Sequence, residues 1–99
     1  MMLGGKFNVG KKAFLKVDIE LVRELGEQEA ILYAFLENLA RAWEKDKNDY
    51  MAVWTKYIVE QLGWSKPKFV RVRDNLSKTK LIKVQKGKNQ NTKTKYKLL

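Results

Sequence analysis

Twelve basic side chains stand between Trp64 and Leu99, against a single acid, Asp74. Residues 1–63 hold 9 Lys+Arg and 10 Asp+Glu, so a balance of −1 gives way to one of +11 in the last third. A cation excess gathered this way implies a polyanionic partner, whereas lysines kept for solubility alone would be spread along the chain. Lys66, Lys68, Lys78, Lys86, Lys88, Lys93 and Lys95 are candidates for neutralising phosphates, and Arg71 can take a phosphate or a guanine edge. Asn89, Gln90 and Asn91 add hydrogen-bonding groups between them. Trp64 and Tyr57 are the aromatic rings on which an unpaired base could stack. Lys56, Ser65 and Asn75 complete the candidate nucleic-acid-binding set.

Other chemistry is thinly represented. The chain has no cysteine and no histidine, which removes disulfides, the usual zinc frameworks, Ser-His-Asp and Cys-His nucleophiles and a histidine proton shuttle. Carboxylates are present without a recognisable spaced pair, so no enzyme activity, metal or cofactor is expected. Asp46-Lys47-Asn48-Asp49 resembles the start of a calcium loop only superficially. Tyr50 takes the third acidic position, and the glycine and distal glutamate are missing, so a turn is expected.

These side chains need elements to hold them. Thr55 can cap a short helix in which Ile58, Val59 and Leu62 share a face, and Gly63 stops it. Ser65 with Pro67 starts a second helix over residues 66–80. Phe69, Val72 and Leu76 turn inward there, with Leu81 and Ile82 closing the same core. Pro67, Val70, Arg71, Asp74 and Lys78 then face outward, and Arg73 is expected to cover apolar surface with its stem while its guanidinium reaches solvent. Residues 81–84 and 94–98 alternate apolar with polar side chains and read as antiparallel strands. Helix, tight turn, helix and lysine-rich hairpin together predict an α+β fold, a winged helix-turn-helix with three to four helices and a small antiparallel sheet.

Upstream, residues 1–13 read as a flexible basic arm and 14–99 as the winged helix-turn-helix domain. Residues 13–17 are extended in character, and Asp18 caps a helix in which Ile19, Val22 and Leu25 align before Gly26. Residues 27–45 form the longest periodic run, with Ile31, Phe35, Leu39 and Ala42 on one stripe and Leu32, Leu36 and Trp43 widening it. That face is expected to be core, with docking of a partner around Leu32, Tyr33, Leu36 and Trp43 as the alternative. Residues 51–54 read as a short strand. No apolar run is long enough to span a membrane, residues 1–10 lack the apolar stretch of a secretion signal, and cytoplasmic placement is expected.

The motifs Phe14-Leu15-Lys16-Val17-Asp18, Glu29-Ala30-Ile31-Leu32-Tyr33-Ala34-Phe35-Leu36 and Trp54-Thr55 lie in chain order. Leu62-Gly63-Trp64-Ser65-Lys66, Leu76 with Leu81-Ile82, and Lys95-Tyr96-Lys97-Leu98 follow. Together they resemble the winged-helix domain at the N-terminus of plasmid and phage replication initiators and replisome-organiser proteins of low-GC Gram-positive bacteria. The resemblance implies a DNA-binding role in the replication of a mobile genetic element, with other replication proteins as partners. Many winged helices carry glycine where Lys80 stands. Those initiators also continue into further domains, so the expectation for this chain is a replication accessory that can stand alone, or an initiator-like factor.

With Arg71 as the only strong base reader, binding is expected to be backbone-directed and weakly sequence-specific, to duplex or single-stranded DNA, by a monomer or homodimer. A small transcriptional regulator binding an operator and a protein–protein interaction module of a replication complex are the alternatives.

Overall fold

The computed structural model describes residues 4–9, 13–88 and 92–99. Four helices and a three-stranded antiparallel sheet make it an α+β protein, with an additional hairpin at the start. That hairpin pairs β1 (Gly4–Val9) with β2 (Ala13–Asp18) in the register Gly4 to Asp18. Of the arm expected over residues 1–13, therefore, 4–9 are strand, while 1–3 and 10–12 lie outside the described residues.

Local signals set most boundaries. The Asp18 carboxylate accepts from the Glu20 amide at 2.8 Å and opens α1 (Ile19–Leu25), which closes as the Gly26 amide donates to the Val22 carbonyl. α2 (Glu27–Ala40) follows at once, with Glu27 and Glu29 in its first turn where the helix dipole favours them. It is shorter than the periodicity predicts. Trp43 turns its indole N–H to the Ala52 carbonyl at 3.0 Å, and the Lys45 ammonium closes onto the Ala40 carbonyl, so tertiary bonds end the helix early and leave Ala42 exposed. In the turn that follows, the Asp46 carboxylate accepts from the Asn48 and Tyr50 amides, as the turn reading requires.

β3 (Met51–Val53) leads into α3 (Thr55–Leu62). The cap is Trp54, whose carbonyl accepts from Tyr57 and Ile58, while Thr55 is already helical and caps nothing. Gly63 ends α3 at φ 69°, a left-handed conformation that costs a side-chain-bearing residue about 1–2 kcal/mol. Two residues on, the Ser65 hydroxyl accepts from the Lys68 amide and starts α4 (Lys66–Ser77), with Pro67 in its first turn. β4 (Ile82–Gln85) and β5 (Thr94–Leu98) form the closing hairpin, and β5 lies between β4 and β3. This order is compatible with a winged helix-turn-helix.

The core gathers side chains from α2, α3, α4 and the three-stranded sheet, with Val17 of β2 joining it. Leu32, Leu36, Phe69, Val72, Leu76, Val53, Ile58 and Tyr96 are all 0% exposed. Leu32 and Leu36 are thus interior, with α2 packed on α1, β2 and α4, while Tyr33 and Trp43 of the docking alternative are half-buried. α4 stops before its expected end because Lys80 adopts φ 67° at the step into β4, the position where many winged helices have glycine. Lys80→Gly should therefore raise stability by up to about 1 kcal/mol, the relief of left-handed strain being partly offset by a freer unfolded chain. Urea midpoints at neutral pH check this, and a lowered midpoint would contradict it.

Candidate nucleic-acid interface

At 3.6 residues per turn, Lys66, Val70 and Arg73 form one stripe of α4, and Lys68, Arg71, Asn75 and Lys78 form another on the opposite flank. The two flanks meet different surroundings. On the second, the Arg71 guanidinium donates to the Gln28 side chain at 3.2 Å, and the Asn75 amide donates to the Glu29 carboxylate at 3.3 Å. Arg71, the base-reading candidate, and Asn75 are thereby turned toward the acidic first turn of α2. Lys68 rests over the half-buried Trp64 ring at 4.8 Å, and Lys78 is exposed.

The first flank opens onto a groove of about 600 Å³. Trp54, Lys56 and Val59 form one wall, Lys66, Val70 and Arg73 the second, and Lys86, Gly87, Thr92 and Thr94 of the hairpin the third. No acid is among its described lining residues. The hairpin can close this wall because its neck is narrow: a Cβ on Gly87 would stand 2.2 Å from the Thr92 carbonyl oxygen, so only glycine fits without a shift. Lys56 is exposed and weakly paired with Glu60 at 3.9 Å, one turn along α3, a contact worth little in water.

Arg73 differs from its sequence reading. Its residue is 6% exposed, and its guanidinium does not extend into solvent; Nε and Nη2 both donate to one Asp74 carboxylate oxygen at 3.2 Å, and the guanidinium stands 5.6 Å from the Phe69 ring centroid. The reason is adjacency to the inward stripe. The same Asp74 oxygen takes Lys86 at 3.5 Å, so one carboxylate joins α4 to the hairpin. Asp74 pairs with neither Lys78 nor Arg71.

Remaining members of the expected set are dispersed. Lys95 is held by Asp46 at 3.3 Å, and that carboxyl lies below its ordinary range because the Tyr50 and Asn48 amides, then Lys95, stabilise its charge. Tyr57 packs on Trp43 with centroids 5.4 Å apart and is not a free platform. Lys88 and Lys93 are exposed, Ser65 serves as a helix cap, and Asn89, Gln90 and Asn91 lie outside the described residues. Sequence reasoning missed Trp54, which is 44% exposed, with the Lys93 ammonium 5.5 Å from its ring centroid. The available signal was strand alternation: Met51 and Val53 point inward and Trp54 follows them at the helix cap.

No protein-family model, characterised protein or solved structure matches the chain. Among the described residues, no group of acidic side chains could hold a metal ion, and no helix is long and apolar enough to cross a membrane.

Beneath the groove lies Tyr96. Its hydroxyl is buried without a hydrogen-bond partner among the described residues. Burial pushes the phenol up to about 12 from an ordinary 10.0; Arg73 and Thr55, its polar neighbours, hold the shift back without reaching hydrogen-bond geometry. A raised phenol pKa means that the fold keeps the proton which the unfolded chain releases. Its stabilisation is thus complete below pH 10 and lost as pH rises through about 12. Tyr96→Phe should match or exceed the parent at pH 7, and should gain about 2–3 kcal/mol on it between pH 10 and 12. Urea titrations of both proteins across that window provide the check, since lysine ionisation is common to the two.

Proposed function

We propose that this chain is a DNA-binding protein of winged helix-turn-helix design, with α3 and α4 as the helix pair and the β4–β5 hairpin as the wing. The observation that carries the reading is the groove: Lys56, Lys66 and Lys86 from three elements line one trough above the buried Arg73, and no acid is among its described lining residues. A sugar-phosphate chain is the ligand such a trough fits, because each contact releases a condensed counterion and none requires a particular base. Low sequence specificity follows from the tethering of Arg71 and Asn75 to Gln28 and Glu29. Within this class, a replication accessory or initiator-like factor of a mobile element is the role proposed, on the resemblance of its helix and hairpin motifs; its protein partners would be other replication proteins.

Binding of a fluorescein-labelled duplex of arbitrary sequence, followed by anisotropy at increasing salt, should give a slope of log affinity against log salt of about −4 to −7. Lys66→Ala or Lys86→Ala should each reduce that slope by about one unit, uniformly across sequences. Absence of any complex at low salt would remove the reading.

Asp74 adds a second outcome. Its carboxylate occupies Lys86 in the free protein and would stand beside incoming phosphates, so Asp74→Asn should raise affinity by roughly three- to tenfold while its amide oxygen still accepts from Arg73. Unchanged or weaker binding by a folded Asp74→Asn protein would argue against phosphates entering this groove.

A further inference from the structure

Resting on the nucleic-acid reading, we infer that the groove takes single-stranded nucleic acid, with an unpaired base stacked on Trp54. Trp54 is the only exposed large aromatic side chain among the described side chains, those of residues 16–88 and 92–99. Its position is rigidly specified: β3 ends at Val53, which is fully buried, and the Trp54 carbonyl accepts two amides of α3 at 3.1 and 3.3 Å. With its backbone held and only two side-chain torsions to fix, a large ring left in water is ordered at low conformational cost when a ligand covers it.

Its surroundings define the ligand. On one side Trp54 borders the groove, where Val59 and Val70 offer apolar surface between Lys56, Lys66 and Lys86. On the other side it borders a shallower hollow with Lys56, Tyr57 and Glu60. The Lys93 ammonium stands at the ring, so cations flank the indole from both the helices and the hairpin. An aromatic face bracketed by ammonium groups matches one nucleotide repeat, a flat base between two phosphates.

A duplex cannot use this arrangement, because its bases already stack on each other inside the helix and extruding one costs several kcal/mol. Single strands offer bases freely. The other aromatic candidates are less accessible: Tyr57 is half-buried and packs on Trp43, and Trp64 is half-buried, so Trp54 differs from both in exposure rather than in having a lysine over its ring. The groove volume of about 600 Å³ falls in the range of roughly 300–1,000 Å³ typical of sites that enclose a small ligand.

The test compares three labelled probes of equal length at one salt concentration: an oligo-dT, a duplex, and an abasic oligomer carrying the same phosphates without bases. The parent protein should bind oligo-dT about 5- to 150-fold more tightly than the abasic strand, the span that one stacked base provides. Trp54→Ala should lower oligo-dT affinity at least fivefold more than duplex affinity, and Trp54→Phe, which keeps a smaller ring, should retain part of the preference. Equal affinity of the parent for oligo-dT and the abasic strand, or oligo-dT binding unaffected by a folded Trp54→Ala or Trp54→Phe protein, overturns the stacking site while leaving backbone binding standing. Failure to bind any of the three probes overturns both readings together.

Discussion

A tyrosine ring with no exposed surface ties the two ends of the sheet together. Tyr96 is opposite Met51 on one side and Val84 on the other, so the middle strand registers β3 and β4 through the same residue. β3 leads directly into α3, and β4 leaves α4 through the Lys80 turn. The angle between helix pair and hairpin is therefore constrained at Tyr96, and the groove between them inherits its shape. Strand alternation does the rest: Thr94 and Tyr96 face inward, while Lys95 and Lys97 are turned outward. Tyr96 leaves its hydroxyl unsatisfied there, an expense of about 1–3 kcal/mol that the packing of the ring has to offset.

Charge is the second constraint on the groove. Arg73, Asp74 and Lys86 share one carboxylate oxygen, and the pair is only partly shielded from water. Contacts of that kind contribute little to stability by themselves. Their effect is positional: the buried guanidinium fixes Asp74, and Asp74 draws the first residue beyond β4 back toward α4. Gly87 then lets the returning backbone pass at a distance no other residue allows. A flexible, like-charged hairpin would swing outward by self-repulsion, and this link opposes that.

Much of the fold was legible because it is written in local chemistry. Asp18, Gly63, Ser65 and the inward triplet Phe69, Val72 and Leu76 act within one or two turns of themselves, and each does in the structure what its type and spacing imply. What could not be read depends on partners far along the chain. Arg71 meets Gln28 across 43 positions, Lys95 meets Asp46 across 49, and Trp43 ends α2 by reaching the backbone of β3. Arg73 was misread for a related reason: helical spacing placed it beside the apolar stripe, but only the packed hairpin shows that this margin is covered. Trp54 reads in sequence as the last residue of a strand over 51–54, whereas β3 ends at Val53 and the chain turns outward at the helix cap.

The two flanks of α4 also explain why the concentration of cations in sequence is not itself a binding surface. Lys68, Arg71, Asn75 and Lys78 share a stripe, yet that stripe looks onto Gln28 and Glu29 and the first turn of α2, where carboxylates would repel a polyanion. Along the hairpin side no acid is among the described lining residues of the groove, and Asp74, next to Arg73, is already engaged by two cations. At ordinary ionic strength charges are felt over about 8–10 Å, so a phosphate near α4 responds to the flank it approaches rather than to the net charge of the chain. On the proposed reading, the acidic start of α2 steers the strand toward the hairpin, and Lys56, Lys66 and Lys86 meet it there together. The acids of the first two thirds of the chain thus bear on where a polyanion would dock, even though they leave the overall charge strongly positive.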